Sequence, residues 1–132
     1  MKITQALLDS LTEKAKASPR LRANYDLRNS ENDKSQRMLN AIEPGSPIPI
    51  HRHQKTSETV VCIRGKLVWE YYDELERICI EAIEVSHDGP VFAINVPLGQ
   101  WHTVRALESG TVILEMKDGT YEPTGPEDVL SL

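Results

Sequence analysis

Cysteine, aromatic residues and long apolar runs are all scarce in this chain, and each scarcity excludes something. Cys62 and Cys79 are its only cysteines. They are too few and too far apart for a metal knuckle or a redox pair, so both read as small apolar residues of a reducing compartment. Aromatic residues make up 5% of the sequence, and no apolar stretch is long enough to span a bilayer. The start carries Lys2, Asp9, Glu13, Lys14 and Lys16 in place of a signal peptide's apolar run, which predicts a cytoplasmic protein. There is no glycine-rich phosphate loop and no internal repeat. Net positive charge is lacking too: the formal charge is −5 and the pI about 5.4, so neither nucleic acid nor membrane is expected as a partner. The charge is uneven, however. Residues 1–37 hold eight Lys/Arg and five Asp/Glu, a local excess of three positive charges, which would receive an anionic ligand better than the remainder.

What is present suffices for one compact domain, with 132 residues and 39% hydrophobic content. Ile3, Leu7, Leu8, Leu11 and Ala15 recur at helical spacing, with Thr4 as N-cap and Ser18-Pro19 as a stop. Residues 19–36 are polar and show no period, which predicts an irregular segment folded over the domain. From there the period shortens. Segments 37–43, 48–53, 58–64, 66–73, 76–85, 91–96, 101–107 and 111–117 are rich in β-branched and aromatic residues and separated by turn signals such as Pro44-Gly45 and Ser109-Gly110. Eight strands with short connections predict a barrel or sandwich. The end, from Gly119, predicts a loosely ordered tail pinned by Tyr121 and Leu130.

The chemistry concentrates in two blocks. The first runs Gly45, five residues, His51, one residue, His53, four residues, Glu58, six residues, Gly65; the second is Pro97-Leu98-Gly99-Gln100-Trp101-His102. At a usage of ~5% per residue type, the five fixed positions of the first block match by chance in roughly one window per few million. Successive side chains of a strand point to opposite faces, so His51 and His53 project on the same side while Arg52 faces away. A short turn over Gln54 to Ser57 lets Glu58 return beside them, and His102 adds a third imidazole. Three imidazoles and one carboxylate suit zinc, iron, manganese, nickel or cobalt as a divalent ion, and in an octahedral shell they leave up to two positions for water or ligand. Gly45 and Gly65 fall where strands turn, and Gly99 lets the loop before His102 adopt a positive φ.

These blocks resemble the paired motifs of the cupin superfamily, which implies an all-β, single-domain cupin fold, a double-stranded β-helix or jelly-roll barrel, here with an N-terminal helix. The second block departs twice from the family pattern, at Val91, where a glycine is usual, and at Ala106, where an asparagine is usual; Gly89 lies two residues early. Neither departure touches His51, His53, Glu58 or His102. A closer resemblance runs through Ser18-Pro19-Arg20-Leu21-Arg22-Ala23-Asn24, Gln36-Arg37-Met38-Leu39-Asn40-Ala41, His51-Arg52-His53, Trp101-His102-Thr103-Val104 and Leu114-Glu115-Met116-Lys117, and is similar to the WbuC family of cupin-fold metalloproteins, often associated with bacterial surface-polysaccharide gene clusters. It implies one divalent metal ion and no settled reaction. The expected organisation is a helix and irregular segment over 1–36, the barrel over 37–118 and the tail over 119–132. A homodimer is expected, because an open cupin barrel commonly covers a sheet edge with a partner's strand.

Other residues carry two readings each. Arg20, Arg22 and Arg37 are either ordinary solvated charges or forks at the rim of the cup for an anionic ligand. Asn40, inside the apolar run Met38 to Ile42, either caps a loop or points into the pocket. Trp101 should face away from His102 and pack. Cys62 shares strand parity with Glu58 and Val60, which predicts an inner-wall residue rather than a nucleophile, and His87 reads as a surface residue. The leading functional expectation is a metal-dependent enzyme of isomerase or epimerase type on a small polar or anionic, sugar-derived substrate. An iron(II) oxygenase and a non-catalytic metal-bearing ligand-binding protein are the alternatives.

Overall fold

The structure, a computed structural model describing residues 1–132, opens with helix α1 (Gln5–Ala17). Thr4 Oγ1 accepts from the Leu7 N–H at 3.2 Å, meeting one of the donors that a helix start leaves open. The helix stops at Ser18, because the residue before Pro19 is disfavoured in the helical region. Its buried face, Leu8, Leu11 and Ala15, lies on Leu39, Ala41 and Val112 of the sheet beneath. Ile3 precedes the cap and stays exposed.

Ten strands follow: β1 (Arg22–Asp26), β2 (Ser35–Ile42), β3 (Ile50–His51), β4 (Glu58–Arg64), β5 (Lys66–Tyr72), β6 (Cys79–Ser86), β7 (Ala93–Val96), β8 (Trp101–Ala106), β9 (Thr111–Asp118) and β10 (Val129–Leu130). They form two five-stranded antiparallel sheets, in the orders β1-β2-β9-β4-β7 and β10-β3-β8-β5-β6. The main core lies between them, built on Ile42, Val60, Leu67, Trp69, Val104 and Ile113. Two antiparallel sheets closed face to face with one helix outside are the all-β cupin jelly roll that the motifs predict. β4 and β5 are joined by Gly65 alone, at φ +85°, and a Cβ there would come within 2.7 Å of Thr111 Cα.

Two of the ten strands lie outside the eight segments read from the sequence. Within 19–36, predicted irregular, Arg22–Asp26 is a strand pairing Arg22 with Ile42 through to Asp26 with Met38. It occupies a sheet edge and its inward face is polar, so it carries no apolar alternation to detect. At the other end Val129 pairs with His51 and Leu130 with Ile50, so the tail contributes a short edge strand. Tyr121 lies under the Arg28 guanidinium, 5.7 Å from ring centroid to Cζ. Conversely, the 48–53 segment yields a ladder of only two residues, because Pro49 has no N–H to pair.

Candidate metal centre

β3 and β8 are direct neighbours, and their single register pair sets His51 opposite His102. His53 follows β3, and its carbonyl accepts from the Gly99 N–H at 2.8 Å, a bond reached with Gly99 at φ +79°. Glu58 opens β4 on the facing sheet. The donor atoms of His51, His53 and His102 all lie within 4.8 Å of one another. His53 Nε2 and His102 Nε2 are each 3.4 Å from Glu58 Oε2.

Hydrogen bonds fix how two of the rings present themselves. His51 Nδ1 sits 2.8 Å from the Pro49 carbonyl and His102 Nδ1 sits 2.8 Å from the Gln100 carbonyl. A carbonyl only accepts, so both Nδ1 atoms carry a proton and both Nε2 atoms are turned toward the centre. Trp69 backs the site, stacked on His102 with centroids 5.2 Å apart and 12° between planes. Burial pushes the His51 pKa down to about 4, with the neighbouring His102 adding to the effect, so its ring is neutral at neutral pH. For Glu58 burial acts upward, but contacts from His102 and His53 outweigh it and hold the carboxyl well below its ordinary value. A neutral His51 imidazole and an ionised Glu58 carboxylate are protonation states that a divalent ion requires of its ligands.

The fit of such an ion rests on unmet polar atoms. His53 Nε2, Glu58 Oε2 and His102 Nε2 are buried without a hydrogen-bond partner. Orphaned buried donors and acceptors are costly, and three converging on one point need a common partner. Donors about 2.1 Å from one ion, at angles between octahedral and tetrahedral, stand about 3.0–3.4 Å apart, which is the spacing Glu58 keeps to two of the rings. The histidine triad could therefore hold a divalent ion, with Glu58 beside it.

The remaining sequence candidates separate. Arg22 stands opposite the core residue Ile42 and so on the inner face, half-buried, its Nη1 donating to the Pro47 carbonyl at 3.1 Å. Asn40 shares that face, 8% exposed, with its Oδ1 unpartnered, which favours the pocket over a loop cap. Arg20 is exposed on the turn before β1. Arg37 has the parity of Leu39, which faces the helix, and its guanidinium is held by Asp33 at 3.1 Å and the Ser35 carbonyl at 2.7 Å. Trp101 is buried beneath the Arg52 guanidinium, 4.6 Å from the ring centroid. Cys62 belongs to the inner core, and burial pushes its thiol up to about 11, which leaves it protonated.

Sequence reading passed over two residues of the cup. Ile113, Glu115 and Lys117 lie opposite Cys62, Val60 and Glu58, so all three of these β9 side chains face inward. The signal was the alternation itself: Ile113 is in the main core while Val112 and Leu114 pack under the helix, so the polar members of the strand had to face the cup. Burial, with the Glu58 charge next in importance, pushes the Glu115 carboxyl up to about 7.

Fold and triad together define a cupin-fold protein with a histidine-lined centre. The capsular polysaccharide assembling protein CapF from Staphylococcus aureus is similar over 87% of this chain and 33% of its own, at 22% identity and a TM-score of 0.67. Oxalate oxidase, in complex with the substrate analogue glycolate, matches at 15% identity and a TM-score of 0.65, over 81% of this chain and 55% of its own. KdgF from Halomonas sp. matches at 15% identity and a TM-score of 0.60, over 80% and 84%. The chain thus spans about a third of the length of CapF. At these identities the likeness is one of fold. No curated protein matches the sequence. Residues 3–83, more than half of the chain, match the family described as a domain of unknown function, DUF6016, and the chain belongs to that family.

Proposed function

We propose that this protein is a divalent-metal-dependent cupin enzyme of the WbuC kind, acting on a small polar or anionic, sugar-derived substrate, with isomerase or epimerase chemistry. The observation that carries the reading is the convergence of three orphaned buried atoms, His53 Nε2, Glu58 Oε2 and His102 Nε2, beside His51. In this reading the four side chains hold one ion, which when bound supplies a Lewis acid for a carbonyl or hydroxyl oxygen. Pro49 and Gln100 orient two of the imidazoles through their carbonyls, and Trp69 excludes water from behind His102. Glu115, whose carboxyl burial pushes above its ordinary value, faces the ligand side of the cup and is the group placed to move a proton there. A role in surface-polysaccharide metabolism agrees with the description of CapF as a capsular polysaccharide assembling protein. Glycolate, bound by oxalate oxidase, and 3-isopropenyl-tropolone, an inhibitor of CapF, are small oxygen-bearing molecules of the size this reading requires.

The test is elemental analysis of protein purified anaerobically, alongside a His51→Ala, His53→Ala double variant. About one equivalent of metal in the native protein, lost from the double variant after dialysis, is expected. Full retention of metal in the variant overturns the ligand assignment. Manganese, nickel or zinc agrees with isomerase chemistry; iron moves the reading to an iron(II) oxygenase.

A further inference from the structure

Beyond the four candidate ligands, the inner face of β9 carries two ionisable side chains that form no salt bridge. Lys117 stands directly across the β4–β9 ladder from Glu58, on the same face, and its ammonium has no ion-pair partner. Glu115, one inward position deeper, also forms no ion pair. Behind them Asn40 is 8% exposed with its carbonyl oxygen unmet. Lys117 and Glu115 line a cavity of about 240 Å³, together with Gln36 and Asn24. Lys117 and Gln36 also line a larger cavity of about 650 Å³ that reaches His53. Lys117 therefore stands where the two spaces meet, on the wall of the cavity that reaches His53.

The Lys117 ammonium lies in the field of Glu58 and Glu115 but within salt-bridge distance of neither, so its N–H donors are open to an anion, whereas two other cations on the same cavity are already engaged, Arg28 by Asp26 at 2.8 Å and Arg37 by Asp33 at 3.1 Å. The anion must be modest. The Arg28 and Arg37 forks that line the same cavity are already held by carboxylates, which leaves one ammonium as the open cation, and Asp26, Glu58 and Glu115 close by repel a dianion, so a carboxylate fits better than a phosphate. The rest of the wall, with Glu115, Gln36 and Asn24, offers carboxyl and amide oxygens and N–H groups, the partners that hydroxyls take.

We propose that the β9 wall of the cup is a ligand subsite for a hydroxylated carboxylic acid, its carboxylate held by Lys117 and its hydroxyls by Glu115 and the adjacent amides. This rests on the cup being the ligand site, as the proposed function has it, and it deepens that reading by naming the ligand class and the residue that selects it. The ligand's far end is then directed at the histidine triad, and neutral sugars are discriminated against by the unmet ammonium.

The test is calorimetric titration of full-length protein with gluconate, glucose and inorganic phosphate, with metal content measured on the same samples. The probes are used on native protein, Lys117→Met and Lys117→Arg. Gluconate should bind native protein at least tenfold more tightly than glucose or phosphate; Lys117→Met should weaken gluconate at least tenfold without changing metal content, and Lys117→Arg should restore most of the loss. Equal binding of gluconate by Lys117→Met, equal binding of glucose, tighter binding of phosphate, or no binding of gluconate to native protein each overturns the subsite. Lys117-dependent gluconate binding by protein that takes up no metal supports the subsite while removing the metal reading. Metal uptake with Lys117-independent binding does the reverse. Should Lys117→Met fail to fold, a Lys117→Arg protein that binds gluconate no better than glucose overturns the proposal by itself.

Discussion

Trp69 lies flat against His102, and both are about 1% exposed, so the most deeply buried imidazole of the candidate metal centre is seated on the main hydrophobic core. The core therefore positions the site rather than the reverse. Leu67, Val104 and Ile113 surround this stack from both sheets, and a second cluster under α1 closes the outer face.

It follows that the protein should stay folded without metal. Small metal-built domains lack a core and unfold when chelated, whereas here two apolar clusters bury side chains far from any donor atom. Circular dichroism after exhaustive chelation should keep its β signature at room temperature, with the thermal midpoint lowered by loss of bound ligand alone. Complete unfolding on chelation would make the centre structural and weaken the enzymatic reading.

Much of this arrangement was legible in the sequence, and the parts that were not share a cause. Helix α1 and the strands from β2 to β9 announce themselves because each has an apolar face, and the helix also has a capping threonine. The histidines and Glu58 could be placed together by parity and spacing. β1 and β10 escaped because they are edge strands that depend on pairing with β2 and β3 more than on an apolar face of their own. Charge alone does not tell which face of β2 a side chain takes, and the register puts Arg37 on the face of Leu39 with Asp33 as partner. Lys117 and Glu115, part of the resemblance, carry no site role in the sequence alone because strand parity becomes informative only once the neighbours that define inside and outside are known.

Gly65 offers a test of the barrel's tightest join. Its φ of +85° disfavours any side chain, and a methyl group there would press against Thr111 Oγ1 and lie 2.7 Å from Thr111 Cα, backbone that cannot swing aside. Gly99 has a similar φ, +79°, but open space around its missing Cβ. Gly65→Ala should cost on the order of 3 kcal/mol or more in urea unfolding, against about 1 kcal/mol for Gly99→Ala, where only the backbone term applies. Equal losses would show that the Thr111 contact relaxes freely.

The Glu115 carboxyl gives the fold a pH dependence of predictable sign. Its folded pKa, pushed up to about 7 by burial and by the charge of Glu58, lies above the ordinary carboxylate value of 4.5. The unfolded chain therefore releases this proton first, and stability falls as pH rises from about 4.5 to about 7, then levels off. The penalty is fully in force above that window and absent below it. Glutamine at this position keeps the shape and cannot ionise, so Glu115→Gln should remove the loss. In metal-free protein, urea unfolding at pH 5 and pH 8 should show native stability falling by on the order of 1–3 kcal/mol more than that of the variant, at the conversion of 1.36 kcal/mol per pKa unit. Because Glu58 contributes to the Glu115 shift, the difference between the two proteins reports the Glu115 carboxyl together with its interaction with Glu58. A variant whose stability tracks the native protein across that interval would mean that the Glu115 carboxyl is solvated well enough to ionise at its ordinary value, and its assignment as a proton-moving group would fall with it.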